Sequence, residues 1–380
     1  MLLIILKNYI KKLIYTIKKK LQLIFKQFSY EIFNLFYGKI EGIETTQTNK
    51  NIQIQNSTIN QNFIYKVYIV KDARIYTDTI NDTAVIIGKK IVKGPSFQIR
   101  NTKFESIEKN IVFSKGTPRV KKKVKGTVLS LLTGGAGNNN YWHWIFDVLP
   151  RFKIINNLIS LEDLDFFLLP NINKKFQKET LDLLDIPVEK RLSSLKNRHI
   201  ESPKIIVVDH PYVIKNDPSN EIQNIPEWII NWLKNSFETK VSLKDSAFPQ
   251  KIYIDRSDST SNLSETRKVV NEEEVKNKLK GKNYKIIRLG DYSFSNQIKF
   301  FYNAQRVVGL HGAGFANTIF CQPDTNILEL QPSGSGKVIK NLAIKNKLNY
   351  NCISVAPEKH NVKNQFGHIR INLEELEKKI

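Results

Sequence analysis

The sequence predicts an α/β fold behind a basic N-terminal helix. Three observations predict it. Short β-branched runs alternate with helical stretches from Leu164 to the end of the chain. The block Gln305 to Pro332 reads as strand, glycine turn, helix start, strand. Apolar residues recur at three- and four-residue steps over the first 36 residues.

The N-terminal repeat runs Leu6, Ile10, Leu13, Ile17, Leu21, Ile24 and Phe28, interleaved with Lys7, Lys11, Lys18, Lys19 and Lys26. Lysines break the pattern too often for a span of about 20 apolar residues, and no small-residue cleavage site follows a clean apolar core. The reading is a basic amphipathic helix over residues 1–37, lying in the plane of an anionic membrane leaflet through residues 1–36; packing on the protein's own body is the alternative. Residues 38–62 are polar, rich in Thr, Asn and Gln, and read as a linker. From Phe63 to Val128, IYKVYIV, AVIIG, FQIR, NIVFS and KGTVLSLL read as short strands, and Lys115 to Lys125 as an exposed basic loop.

The chain has 380 residues, enough for two α/β domains, and 41% are hydrophobic. Its formal net charge of +23 implies an anionic partner (a membrane surface, a phosphorylated substrate or nucleic acid), with a general lysine-rich composition bias, which the abundant Asn, Ile and Lys also fit, as the alternative. No zinc-finger spacing, Arg-Gly-Gly tract or RNP-like motif is present, so nucleic acid is not the expected partner. Cys321 and Cys352 make no disulfide framework, and point to a reducing compartment.

Gly134 to Phe152, GGAGNNNYWHWIFDVLPRF, reads as a loop followed by a helix capped near Asn140. His143 and Asp147, four apart, share one face of that helix and suit a general base or a His–Asp pair; a core histidine held by a carboxylate is the plainer alternative. Leu164–Leu169, Lys174–Leu184 and Lys204–Asp209 continue as strand, helix, strand, with a parallel sheet expected. Asp163-Leu164-Asp165 resembles a metal-binding pattern but leads into an apolar strand, and reads as structural. The proline-rich stretch Asp209 to Asn224 is the expected connection between domains of residues 63–215 and 216–380.

The second domain opens with strand Lys251–Asp255, which delivers Arg256 into a loop carrying Ser257, Asp258 and Ser259. An arginine at the carboxyl end of such a strand points toward the ligand crevice, and its planar fork suits phosphate oxygens. His311-Gly312-Ala313-Gly314 then follows strand Arg306–Leu310 and opens a helix. Such a turn can cradle a phosphate, or can simply pack helix tightly on sheet.

Three blocks together resemble glycosyltransferase family 61, which contains capsular-polysaccharide transferases, plant xylosyltransferases and O-linked N-acetylglucosaminyltransferases. They are NYWHWIFDVLPRF, IYIDR through NEEEV, and VVGLHGAGFANTIFCQPDTNILEL, in family order over roughly residues 127–332. The resemblance implies a GT-B-like fold, two Rossmann-like domains facing across a cleft; in the domain layout read here the last helix is free to pack back on the N-terminal domain. It implies inverting transfer from a nucleotide-sugar, UDP-linked by expectation, to a glycan or lipid-linked glycan acceptor. No metal and no cofactor beyond the donor are expected. Carried over by position, Arg256, Gly312, Ala313, Gly314 and Asn317 would bind the donor diphosphate, Glu329 a donor hydroxyl, and His311 would line the cleft. Asp147 is the first choice for the base and His143 the second. Asp255, where the family often has a small residue, leaves donor identity open. The setting expected is cytoplasmic, on the inner face of the membrane, in surface polysaccharide or lipopolysaccharide synthesis. A non-catalytic glycan- or polyanion-binding protein is the rival; a nucleotide-dependent oxidoreductase fits poorly, because the Gly-x-Gly-x-x-Gly order is missing.

Overall fold

Hydrophobic alternation and turn chemistry lay the chain out as two sheets preceded by one long helix. The computed structural model describes residues 2–79, 82–100, 103–132, 134, 139–215, 217–243, 247–257, 267–358 and 367–380. The expected glycine loop at 135–138, and Asp258 and Ser259, lie outside the described residues. Helix α1 (Leu2–Tyr37) is 36 residues long. Among the described residues, no helix is long and apolar enough to cross a membrane.

The strands β1 (Gly42–Glu44), β2 (Ile52–Ile59), β3 (Phe63–Thr79), β4 (Asp82–Ile87) and β5 (Lys90–Val92) follow, then a small hairpin of β6 (Ile99–Arg100) and β7 (Lys103–Phe104). Residues 38–62 are therefore not a linker: β1 pairs with β5, and β2 with β3 along its whole length. The polar composition misled because only Ile52, Ser57 and Ile59 of β2 are buried, and the rest of the strand faces water. Asn60 and Gln61 take positive φ and turn β2 back onto β3, which dictates antiparallel pairing. Asn110–Ser114, read as strand, lies in helix α2 (Ile111–Lys115): the Asn110 side chain caps it by accepting from Val112 N, outweighing its β-branched composition.

Next come β8 (Lys122–Lys123), β9 (Thr127–Ser130), α3 (Tyr141–His143), a π turn at Trp144–Val148 and α4 (Pro150–Asn156). Then β10 (Phe166–Leu169), α5 (Lys175–Leu183), β11 (Arg191–Ser193) and β12 (His199–Val208) complete the first sheet. Its order is β1-β5-β4-β3-β12-β9-β10-β11, with β2 also on β3 and β8 on β12. The β12-β9-β10-β11 part is parallel as expected, but β3 runs antiparallel to β12, so the sheet is mixed. Asp165 accepts from Thr127 N at 2.7 Å, which ties β9 to β10.

After α6 (Pro218–Glu221) and α7 (Glu227–Glu238), the second sheet is built from β13 (Lys251–Asp255), α8 (Glu272–Gly281), β14 (Lys285–Arg288), α9 (Phe294–Asn303), β15 (Arg306–Leu310), a 3-10 helix (Ala313–Phe320), β16 (Asn326–Pro332), α10 (Val338–Lys345) and β17 (Asn349–Val355). Its order is β14-β13-β15-β16-β17, all parallel. Helix α11 (Leu373–Lys379) does not return to the first half. It packs on α8 and β17, where Leu376 joins Val275, Leu279 and Ile353 in a core, and Lys278 and Lys282 pair with Glu377.

Helix α7 wedges between the halves. Trp228 Nε1 donates to the Tyr65 hydroxyl of the first half at 2.9 Å, while the Phe237 ring lies 5.0 Å from Phe294 of the second. One buried apolar cluster consequently runs from Trp144 and Phe152 through Leu233 to Phe294 and Phe315. Each such fully buried large side chain contributes about 1.5–3 kcal/mol, so this seam is a major share of the hydrophobic stabilisation.

Candidate active site

The second sheet and the parallel part of the first each reverse their winding direction once. In the second, β13 lies between β14 and β15, so the chain winds one way from β13 and the other way from β15. Ligands of open α/β sheets sit outside the strand ends at such a switch point. Arg256 directly follows β13, and His311 directly follows β15. In the first sheet the switch lies between β9 and β12. The chain after β9 leads into α3 and His143; the chain after β12 leads into His210 and Tyr212.

His143 and Asp147 meet as their spacing requires, with Nδ1 2.8 Å from Oδ2. Asn140 caps the helix by accepting from Trp142 N at 2.9 Å. Pro150 has no N–H for the carbonyl of Phe146, and the ladder slips to an i+5 bond from Leu149 N to Trp144 O, at 3.2 Å. Arg151, fully buried, braces the turn: Nε donates to the Asp147 carbonyl at 2.9 Å and Nη1 to the Leu132 carbonyl at 3.0 Å.

Asp147 is only 4% exposed and both its oxygens are engaged. The Tyr212 hydroxyl donates to Oδ1, and His210 Nε2 stands 3.7 Å from Oδ2. His210 Nδ1 accepts from the backbone N–H groups of Tyr212 and Val213, so the ring proton sits on Nε2, facing the carboxylate. Burial alone would raise the pKa of Asp147, but His143 and His210 outweigh it and hold the carboxyl well below the usual range. Burial pushes the His143 pKa down, but the Asp147 charge outweighs it and the net shift is upward from 6.5. The His143 side chain keeps 25% of its exposure, and Nε2 has no hydrogen-bond partner among the described residues. The pair thus presents an oriented imidazole lone pair to solvent, backed by a carboxylate that water does not reach.

The second half repeats these groups in another frame. His311 Nδ1 bonds Glu329 Oε1, across the β15–β16 register, and the Tyr350 hydroxyl donates to Glu329 Oε2 at 2.6 Å. Glu329 is fully buried, and its two oxygens are held by His311 and Tyr350. The His311 carbonyl collects two guanidinium groups: Arg256 Nη1 at 2.7 Å and Arg267 Nη1 at 3.2 Å. Burial, and then the neighbouring charge of Arg256, lower the Arg267 pKa to about 10. Two like charges held this close favour an anion between them.

The glycine turn does two separate jobs. A Cβ at Gly312 would come within 2.8 Å of the Arg256 guanidinium carbon, so Gly312 makes room for that arginine. A Cβ at Gly314 would meet Leu289 at 3.0 Å and Ile254 at 3.1 Å, which is tight helix-on-sheet packing. Ala313 starts the 3-10 helix. Asn317 is fully buried; its Oδ1 accepts from the Tyr141 hydroxyl and its Nδ2 donates to Gln297 at 3.1 Å. It ties the His143 helix to the helix after the glycine turn, and so joins the two switch points at one seam. Asp255 points elsewhere: it caps Ser257 N at 2.8 Å and pairs with Lys276 at 3.0 Å.

Sequence reasoning missed His210, Tyr212, Tyr350, Tyr141 and Arg267 as site residues. His210 carried a usable signal, since it lies just past the carboxyl end of a parallel strand. Tyr350 carried none: it sits inside β17 and reads as core. Among the described residues, no group of three or more His, Cys, Asp or Glu could hold a metal ion.

A mixed and a parallel sheet thus meet at paired switch points, one carrying the His143–Asp147 pair and one the clustered arginines. Residues 141–328 match the family model described as Glycosyltransferase 61. This match supports assigning the chain to glycosyltransferase family 61, and with it a transferase activity. No curated protein matches it.

Proposed function

We propose that the protein is an inverting glycosyltransferase of GT-B-like architecture that moves a sugar from a nucleotide-sugar, UDP-linked, to a glycan or lipid-linked glycan hydroxyl. Its setting is surface or capsular polysaccharide or lipopolysaccharide assembly in the cytoplasm, with α1 against the inner face of the membrane. The carrying observation is the convergence of Arg256 and Arg267 on the His311 carbonyl at a sheet switch point. Their charge suits a leaving diphosphate without a metal ion.

His143 is the base in this reading, and Asp147 orients it; the burial and low pKa of Asp147 argue against the reverse order. The acceptor oxygen attacks the anomeric carbon as its proton passes to His143 Nε2. The bond from that carbon to the diphosphate oxygen breaks, and the diphosphate leaves with the electron pair toward Arg256 and Arg267. A single displacement from the opposite face inverts the carbon. Glu329 and Tyr350 position His311 beside the leaving group.

The test is calorimetry and nucleotide release over a panel of nucleotide-sugars. One donor is expected to bind and to release its nucleotide when acceptor is added. Folded protein that binds no donor would overturn the reading, and salt-sensitive polyanion binding in its place would favour a non-catalytic role.

A further inference from the structure

Helix α1 carries two faces that can be followed from its exposed length to its root. At the root, Tyr30, Phe33, Asn34 and Tyr37 are partly buried against the body. The Tyr37 hydroxyl accepts from Lys121 N at 3.0 Å, its ring meets His199 edge-on at 5.0 Å, and its carbonyl accepts from the buried Arg74. Gly116, at φ +63, leaves room for the Asn34 side chain that a Cβ would overlap. Stepping back along the same face by turns of the helix reaches Lys26, Lys19 and Lys12.

The opposite face is apolar. Leu13, Ile17, Leu21, Ile24, Phe28 and Leu35 follow one another at helical spacing, and all are exposed, Phe28 at 62% and Leu35 at 87%. Phe36, at the root, is 77% exposed. Lys18 and Lys20 flank the stripe on its two edges. The stripe does not stop where the body begins; it continues beneath the residues that carry the body. A helix acting as a loose tether would have no use for bare Leu35 and Phe36 at its attachment point.

We propose that α1 lies in the plane of an anionic lipid surface along its full stripe, down to Phe36, so that the catalytic body is seated on the other face of the helix. The flanking lysines and the net charge of +23 select anionic lipid over a second copy of the chain, whose helix would bring the same charges. This rests on the membrane part of the reading above, not on its transfer chemistry.

A fluorescent NBD probe on single cysteines tests it in the full-length protein. Cys352→Ser removes the more accessible native thiol, and Phe28→Cys, Phe36→Cys or Lys19→Cys adds one site at a time. With vesicles of phosphatidylglycerol and phosphatidylcholine, probes at 28 and 36 are expected to brighten several-fold and be quenched by doxyl-labelled acyl chains. The probe at 19 should stay water-like. A probe at 28 that inserts while 36 stays aqueous would overturn the seating and leave a tether. If neither inserts, the seating and the membrane reading both fall. Shielding at 28 and 36 without vesicles, in a protein that has doubled in size, would assign the stripe to a second copy. Donor calorimetry on the same samples shows whether the transfer reading stands in each case.

Discussion

The two halves use one set of groups for two environments. In the first, His143, Asp147 and Tyr212 form an imidazole–carboxylate–phenol chain; in the second, His311, Glu329 and Tyr350 do. Both imidazoles face their carboxylates through Nδ1. The first carboxylate lies one helical turn from its histidine, the second on the neighbouring strand. The His143 side chain is 25% exposed and that of His311 10%. Only the second histidine has arginines on its own carbonyl. The difference teaches that a histidine–acid pair does not define a role by itself. In the proposed mechanism, exposure and neighbouring charge assign one pair to proton transfer and the other to the anion.

That contrast can be broken at several points. The largest effect is expected from His143→Ala: a loss of ~10²–10⁴-fold in turnover, the usual weight of a general base, with donor affinity by calorimetry unchanged. Weakened donor binding at unchanged turnover would place His143 on the donor side and erase the distinction. Arg256→Ala should do the converse, and weaken donor binding by ~10–100-fold, the range for one charged hydrogen bond.

Asp147→Asn sharpens the first pair through pH. The His143 pKa is raised in the fold, so the ring is protonated at low pH and becomes a competent base as pH rises through a value above 6.5. Turnover is expected to climb along that limb, and the limb should move to lower pH in the Asn variant, with lower maximal turnover and donor binding spared. An unmoved limb would assign the titration to another group. The smallest effect, about five-fold in turnover, is expected for Tyr350→Phe, which removes one hydrogen bond worth about 1 kcal/mol to Glu329 and leaves the core packing intact. A stopped-flow or steady-state comparison with Tyr212→Phe would show which chain depends more on its phenol.

Much of this was legible in the sequence, and the limits have physical causes. The His143–Asp147 pair was readable because a helix places residues four apart on one face. The second sheet was readable because parallel strands buried on both sides are continuous apolar runs. β2 was not, since a strand with one face in water has the composition of a linker. The Tyr212 and Tyr350 links depend on contacts between segments distant in sequence, which no local pattern encodes. The glycine turn was legible as an object; that Gly312 makes room for Arg256 and Gly314 packs against Leu289 and Ile254 was not, because both contacts come from distant segments.

The apolar seam through α7 has a mechanical consequence. Leu233 and Phe237 join one face of each sheet in a single shared core, while the other face of each sheet packs within its own half. Parting the two halves would therefore expose the apolar seam along α7, and a gene cut at the proline-rich crossing before α7 should yield two sticky fragments whose solubility rises when they are expressed together.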